Sequence, residues 1–102
     1  MDLKTLWRKF YKDEREAFDY SGRLMKLSDE GKDESEFCPT IEHIRPKSKG
    51  GDENEGNLLI CSRITNLEKG DSFPTWNANG KTFQVKRVKG QRGVYEIWGS
   101  KK

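Results

Sequence analysis

The chain has one histidine, two cysteines and three prolines among its 102 residues. Each scarcity excludes something. Two cysteines, Cys38 and Cys61, are too few to staple a disulfide scaffold. No uninterrupted apolar run is longer than Leu58-Leu59-Ile60-Cys61, far short of the about 20 residues that span a bilayer. The opening MDLKTLWRKFYKDE mixes acids with bases and lacks the apolar stretch of a secretory signal. A reduced, cytoplasmic protein with no membrane partner is the expectation. Hydrophobic residues are also sparse, at 31% against 36% charged, so the chain can bury one modest core and little else. Eleven aromatics nevertheless exceed what a solvated, disordered tail would carry.

The formal charge of +3 conceals an asymmetry. Residues 1–36 hold 8 bases against 10 acids, residues 37–71 hold 5 against 6, and residues 72–102 hold 7 against 1. A basic end on a small polar domain points to a polyanion, nucleic acid before membrane. A solvated basic tail is the plainer reading of the same charges.

Periodicity supplies the elements. Leu3, Leu6, Trp7, Phe10 and Tyr11 share one face of a 3.6-residue repeat, which predicts a helix from Asp2 to about Lys12 with Asp2 as its cap. The Ser-Gly signal inside Phe18–Met25 predicts a short hairpin. The acidic stretch 28–36 reads as a loop. Residues 38–44 read as a strand and residues 57–61 as a second one. Between them, RPKSKGGDENEG has no apolar side chain except Pro46, so it is a long loop, a length that in a small domain usually signals function. Ser62 can cap a helix that runs to about Lys69 and stops at Gly70. The last third is β, with Asn79-Gly80 as a hairpin signal and a turn at Gly90–Gly93.

The single histidine, His43, follows Glu42 where a strand opens into the polar loop. A lone histidine is more often structural than catalytic. Its neighbours here, Arg45, Lys47, Ser48, Lys49 and a Gly-Gly pair, make a setting for phosphate contact instead. Glu42-His43-Ile44, Pro46, Ser48, Gly50-Gly51, Asn57-Leu58, Asn66 and Lys69-Gly70-Asp71 together resemble the HNH endonuclease signature. The spacing agrees as well: fourteen residues separate His43 from Asn57, and nine separate Asn57 from Asn66. The similarity covers about residues 38–71.

The resemblance implies a ββα-metal core at 38–71; with the N-terminal helix and the basic C-terminal β-hairpin at 76–98 read from the pattern, the expectation is an α+β fold in one small domain, residues 1–102. The resemblance also implies His43 as general base and Asn57 as the residue that pins the loop and orients it. Glu42 and Asn66 would hold one divalent cation, Mg²⁺ or Mn²⁺, with room left for water and phosphate. Imidazole as a type exchanges a proton near neutrality, which suits the first role. Glu42 departs from the commoner Asp of the signature. A structural Zn²⁺ is not expected, because two cysteines and one histidine cannot fill a tetrahedral site while His43 serves as base. Arg45, Lys47, Lys49, Arg63 and Lys69 could touch phosphates, and Lys86 and Arg92 would extend that surface. The implied partner is double-stranded DNA, with single strands also admissible. One metal centre should cut one strand at a time, so that of the expected monomer or weak homodimer, a monomer would nick and a dimer could cut both strands. The alternative is a non-catalytic nucleic-acid-binding module on an HNH-like scaffold.

Overall fold

Asp2 accepts a hydrogen bond from the Thr5 amide at 2.8 Å and so caps helix α1, Leu3–Tyr11. In the computed structural model, which describes residues 1–100, α1 buries Leu3, Leu6 and Trp7. Phe10, from the same sequence stripe, is exposed at its flank. The chain then forms an antiparallel hairpin of β1, Glu16–Phe18, and β2, Leu24–Lys26, around the Asp19–Arg23 turn. None of the described helices is long and apolar enough to cross a membrane.

The centre of the molecule is a ββα unit. Strand β3, Pro39–His43, pairs antiparallel with β4, Leu58–Ser62, in a register running from Pro39 opposite Ser62 to His43 opposite Leu58. Ser62 ends β4 and caps α2, Arg63–Lys69, by accepting from the Ile64 and Thr65 amides. Gly70 follows α2 with a positive φ of 53°. The order strand, loop, strand, helix is the one expected from the sequence.

Asp19 ties the first hairpin to this unit. One carboxylate oxygen accepts from the Ser21 amide, the Ser21 hydroxyl and the Arg23 amide, and the other from the Ser62 amide and the Thr65 hydroxyl, at 2.7–3.0 Å. Burial alone would raise this carboxyl. The bonds from Thr65, Ser62, Ser21 and Arg23 outweigh burial and hold it below its ordinary 3.8.

The expected C-terminal hairpin is a three-stranded antiparallel sheet: β5, Thr75–Ala78; β6, Lys81–Arg87; β7, Tyr95–Ser100. The added strand forms because Trp76 and Ala78 alternate inward and β5 turns into β6 at Asn79-Gly80, both with positive φ, as a two-residue hairpin requires. Two apolar clusters result. Leu3, Leu6, Trp7, Met25, Leu58 and Ile60 fill the first. Trp76, Ala78 and Phe83 form the second, with Tyr20 and Val85 against them. Trp98, which alternation alone would let into the core, stays 50% exposed with the Lys86 ammonium 4.4 Å from its ring centre.

Candidate active site

His43 ends β3, and its ring is held at the edge of an open cleft. Ile41, Glu42, Pro46, Lys47, Asn66 and Asp71 are among the residues that line the cleft with it. The spacing that set Glu42, His43 and Asn66 in one pattern therefore corresponds to one place in space. The imidazole Nε2 lies 2.9 Å from Glu53 Oε1. Glu53 also takes the Lys47 ammonium at 2.6 Å. The hydrogen bonds from Lys47 and then His43 hold the exposed Glu53 carboxyl down to about 2. With Nε2 facing a carboxylate, the proton of the neutral ring belongs on Nε2, which leaves Nδ1 as the acceptor.

Glu42, although it lines the same cleft, is only 2% exposed. Its Oε1 accepts from Cys61 Sγ at 3.2 Å and from the Tyr20 hydroxyl at 3.4 Å. Its Oε2 is buried with no hydrogen-bond partner among the described residues. Burial pushes the carboxyl up to about 7, against the pull of the Lys69 ammonium and the bonds from Cys61 and Tyr20. Tyr20 is itself fixed by Trp76 Nε1, which donates to its hydroxyl at 3.0 Å. Burial raises the Tyr20 phenol well above its ordinary value, so it stays a donor.

Asn57 is fully buried at the base of the loop. Its Oδ1 accepts from the Arg45 amide at 2.7 Å, and its Nδ2 donates to the carbonyls of Arg45 at 3.1 Å and Asp52 at 2.9 Å. One side chain thus satisfies three backbone groups at the two ends of the 45–52 turn. The Ile44 amide donates to the Asn57 carbonyl at 2.8 Å, which joins the clamp to the residue after His43. The turn closes tightly: a Cβ on Gly51 would lie 1.7 Å from the Arg45 carbonyl oxygen. Only glycine fits there.

Asn66 lies on α2, and its Nδ2 donates to Thr40 Oγ1 at 3.1 Å, across to β3. Its Oδ1 meets no protein donor among the described residues. A buried carboxylate oxygen without a donor and an amide oxygen from another residue of the same cleft are the kind of ligands a hard cation takes. On that ground the residues fit a divalent ion.

Lys69 departs from the expected phosphate-contacting surface. It is buried, with its ammonium 4.9 Å from the Trp76 ring centre and 3.4 Å from the His43 carbonyl, to which it donates. Burial lowers its ammonium, and the Glu42 carboxylate opposes that shift. The cause is the docking of β5 over the end of α2, which covers the position. Of the other expected contacts, Lys47, Lys49, Lys86 and Arg92 are exposed, whereas Arg45 and Arg63 are half-buried. Arg63 stands in the first turn of α2 with Nε unpartnered among the described residues.

Sequence reasoning passed over Glu53 and read Asp19 and Tyr20 only as part of a short hairpin. Glu53 sits among other acids in a loop, and only its ten-residue distance from His43 across a Gly-Gly turn hinted at a return contact. Cys38 and Cys61 are both buried and free, and Cys61 has the added part of donating to Glu42.

The family model described as HNH endonuclease matches residues 20–75, slightly more than half of the chain. No curated protein and no solved structure matches it.

Proposed function

Since the chain belongs to the HNH endonuclease family, we propose that the His43 cleft hydrolyses DNA phosphodiester bonds with one divalent cation, Mg²⁺ or Mn²⁺, nicking one strand per site. The observation that carries this reading is the convergence of His43, Glu42 and Asn66 on one open cleft.

Glu42 and Asn66 would hold the ion. A cation held there supplies charge neutralisation at the scissile phosphate and the departing 3′ oxygen. His43 takes the proton of the attacking water on Nδ1, while Glu53 accepts from Nε2–H and stabilises the charge the ring acquires. Lys69 steadies the His43 backbone from below through the carbonyl. Asn57 keeps the loop folded over the same residue. Lys47 and Ser48, on the cleft wall, are placed to meet phosphate oxygens.

The test is supercoiled plasmid with Mg²⁺ or Mn²⁺. The native chain is expected to yield relaxed circles, and His43→Ala is expected to lose about 10²–10⁴-fold in rate, the usual share of a general base. Equal nicking by both proteins would remove His43 from the mechanism. Binding without cleavage is the second reading, and it draws on the contact that already engages His43 Nε2 with Glu53. Retarded plasmid with no nicks in either metal would favour it.

A further inference from the structure

Among the described residues, four lysines and arginines meet a carboxylate: Lys9, Arg23, Lys32 and Lys47. Lys9 meets Glu55 at 2.6 Å, Lys47 meets Glu53 at 2.6 Å, and Arg23 pairs with Glu68. Of the cations without such a pair, one group shares a single concave surface. Arg45, Arg87, Lys89 and Arg92 line a single groove between the 45–52 turn and the β6–β7 turn, and none of the four has an ion-pair partner among the described residues. Asp52 is the one carboxylate along the wall. Four free cations against one acid concentrate a positive field in a concave surface.

The groove is built rather than incidental. The β6–β7 turn is closed by the Val88 amide donating to the Val94 carbonyl at 3.0 Å and by Gln91 donating to Val88 at 3.1 Å. It seats against the motif loop so closely that a Cβ on Gly56 would lie 2.6 Å from Val94 Cγ2. Arg45 is held from three sides: Nε donates to the Lys49 carbonyl at 2.6 Å, Nη1 lies 3.5 Å from the Tyr95 hydroxyl, and the guanidinium sits 5.7 Å from the Phe73 ring centre. Its ordering is complete before any ligand arrives.

Position gives the groove its meaning. Arg45 and Gly50 face the groove, while Pro46, Lys47 and Ser48 of the same turn face the His43 cleft. The two concavities flank one loop. Arg87, Lys89 and Arg92 lie beyond residues 20–75, so the family match does not account for them. The wall offers glycine backbone and cations with few apolar anchors, which suits a polyanion rather than a folded protein face.

We propose that this groove binds the phosphate backbone of duplex DNA beside the bond cut at His43; the proposal rests on the nuclease reading of that cleft. The test is fluorescence anisotropy with a labelled duplex in EDTA, across a salt series, comparing the native chain with the triple variant R87Q/K89Q/R92Q. Three lost phosphate contacts should flatten the slope of log K against log salt by about 2.7, and at about 0.1 M salt should weaken binding by between about 10- and 500-fold. A second triple, K4A/R8A/R15A, removes the same charge from the clefts beside α1. It should leave the slope within about 0.5 of the native value if location rather than net charge matters. Thermal melting of all three confirms the fold. A folded R87Q/K89Q/R92Q with native affinity and slope overturns the groove, as do equal losses from both triples. A native chain that binds duplex with this slope but never nicks would sink the hydrolysis at His43 and leave the groove standing. A chain that nicks while the triple binds normally would do the reverse.

Discussion

Asp19 lies far from the cleft in sequence, yet substituting it should unsettle the site more than most surface changes. Its carboxylate is 5% exposed and accepts five hydrogen bonds, two of them from the backbone amides of Ser21 and Arg23 and one from that of Ser62. Asp19→Ala removes every acceptor at once. Breaking a buried charged network by deleting one partner costs about 3–5 kcal/mol. Asp19→Asn keeps the shape but must turn an amide NH₂ toward one set of donors. The Oδ1 side holds two fixed amides, the Oδ2 side only that of Ser62, because the Thr65 hydroxyl can rotate to accept. The amide nitrogen therefore turns to the Ser62 side and orphans one N–H, at about 1–3 kcal/mol, with the loss of a charge at the start of α2 adding about 0.3–1 kcal/mol.

Urea unfolding followed by tryptophan emission measures both. With a slope of about 1–3 kcal/mol per molar for a small protein, Asp19→Ala should move the midpoint down by about 2 M, and Asp19→Asn by about half as much. The pH dependence carries the same signature. The folded carboxyl is depressed below 3.8, so its stabilisation is complete above that unfolded value and is lost as pH falls through the lower folded one. Asp19→Asn should lack this part of the acid limb. An unfolding free energy for Asp19→Asn within about 0.5 kcal/mol of native would refute the account, since surface substitutions typically stay in that range.

Three further outcomes follow from the site. Glu53→Ala should lower kcat about tenfold, part of a general base's contribution, with KM within about twofold; Glu53→Gln, which still offers Nε2–H an acceptor, should recover most of the loss, and unchanged kcat in both would remove Glu53 from the mechanism. Gly51→Ala must displace the Arg45 carbonyl, so nicking should fall about 10²-fold, the cost of misplacing a site by an ångström; native activity in a folded Gly51→Ala would show that the turn is not rigid. Chelator-treated Glu42→Gln should unfold at higher urea than the native chain at pH 8, where the buried carboxylate is charged without a partner for Oε2, and nicking should be abolished. The folded carboxyl sits near 7 against 4.5 unfolded, so the native chain's penalty is fully developed above 7 and vanishes toward 4.5; the gap in urea midpoint should close over that window as pH falls.

The strands and helices around the motif are legible in the sequence because each is bounded by residues with strong local preferences. Ser62 caps, Gly70 ends, Asn79-Gly80 turns, and the apolar run at 58–61 cannot sit in a loop. Spacing likewise sets Glu42, His43 and Asn66 in one pattern, and all three line one cleft. What stays hidden depends on docking. Lys69 looks like any surface lysine at the end of a short helix until β5 lies over it. Trp98 looks like a core residue until the sheet presents its alternate face to solvent. Glu53 looks like one acid among several until the Gly51 turn brings it back to His43. In each case the deciding contact lies many residues away, where periodicity carries no information.

The carboxylate of Glu42 shows how the appended sheet becomes part of the site. Strands β3 and β4 cover it on one side through Cys61. The other side is closed by Tyr20, which stands edge-on to Phe83 with ring centres 4.9 Å apart and is bonded by Trp76. Trp76 also lies beside the Lys69 ammonium, so one indole touches both groups that flank the carboxylate. Residue 76 is the first beyond the family match, and Phe83 lies further out. The enclosure that keeps Glu42 from water is therefore shared: Tyr20 and Cys61, which touch the carboxylate, lie within the family match, while Trp76 and Phe83, which hold Tyr20 in place, lie outside it. A buried carboxylate in this state is costly to the empty protein and gains most from a cation. The sheet thus bears on Glu42 indirectly, through Trp76 and Phe83 against Tyr20, and by helping to exclude water it would strengthen the carboxylate's need for a positive partner.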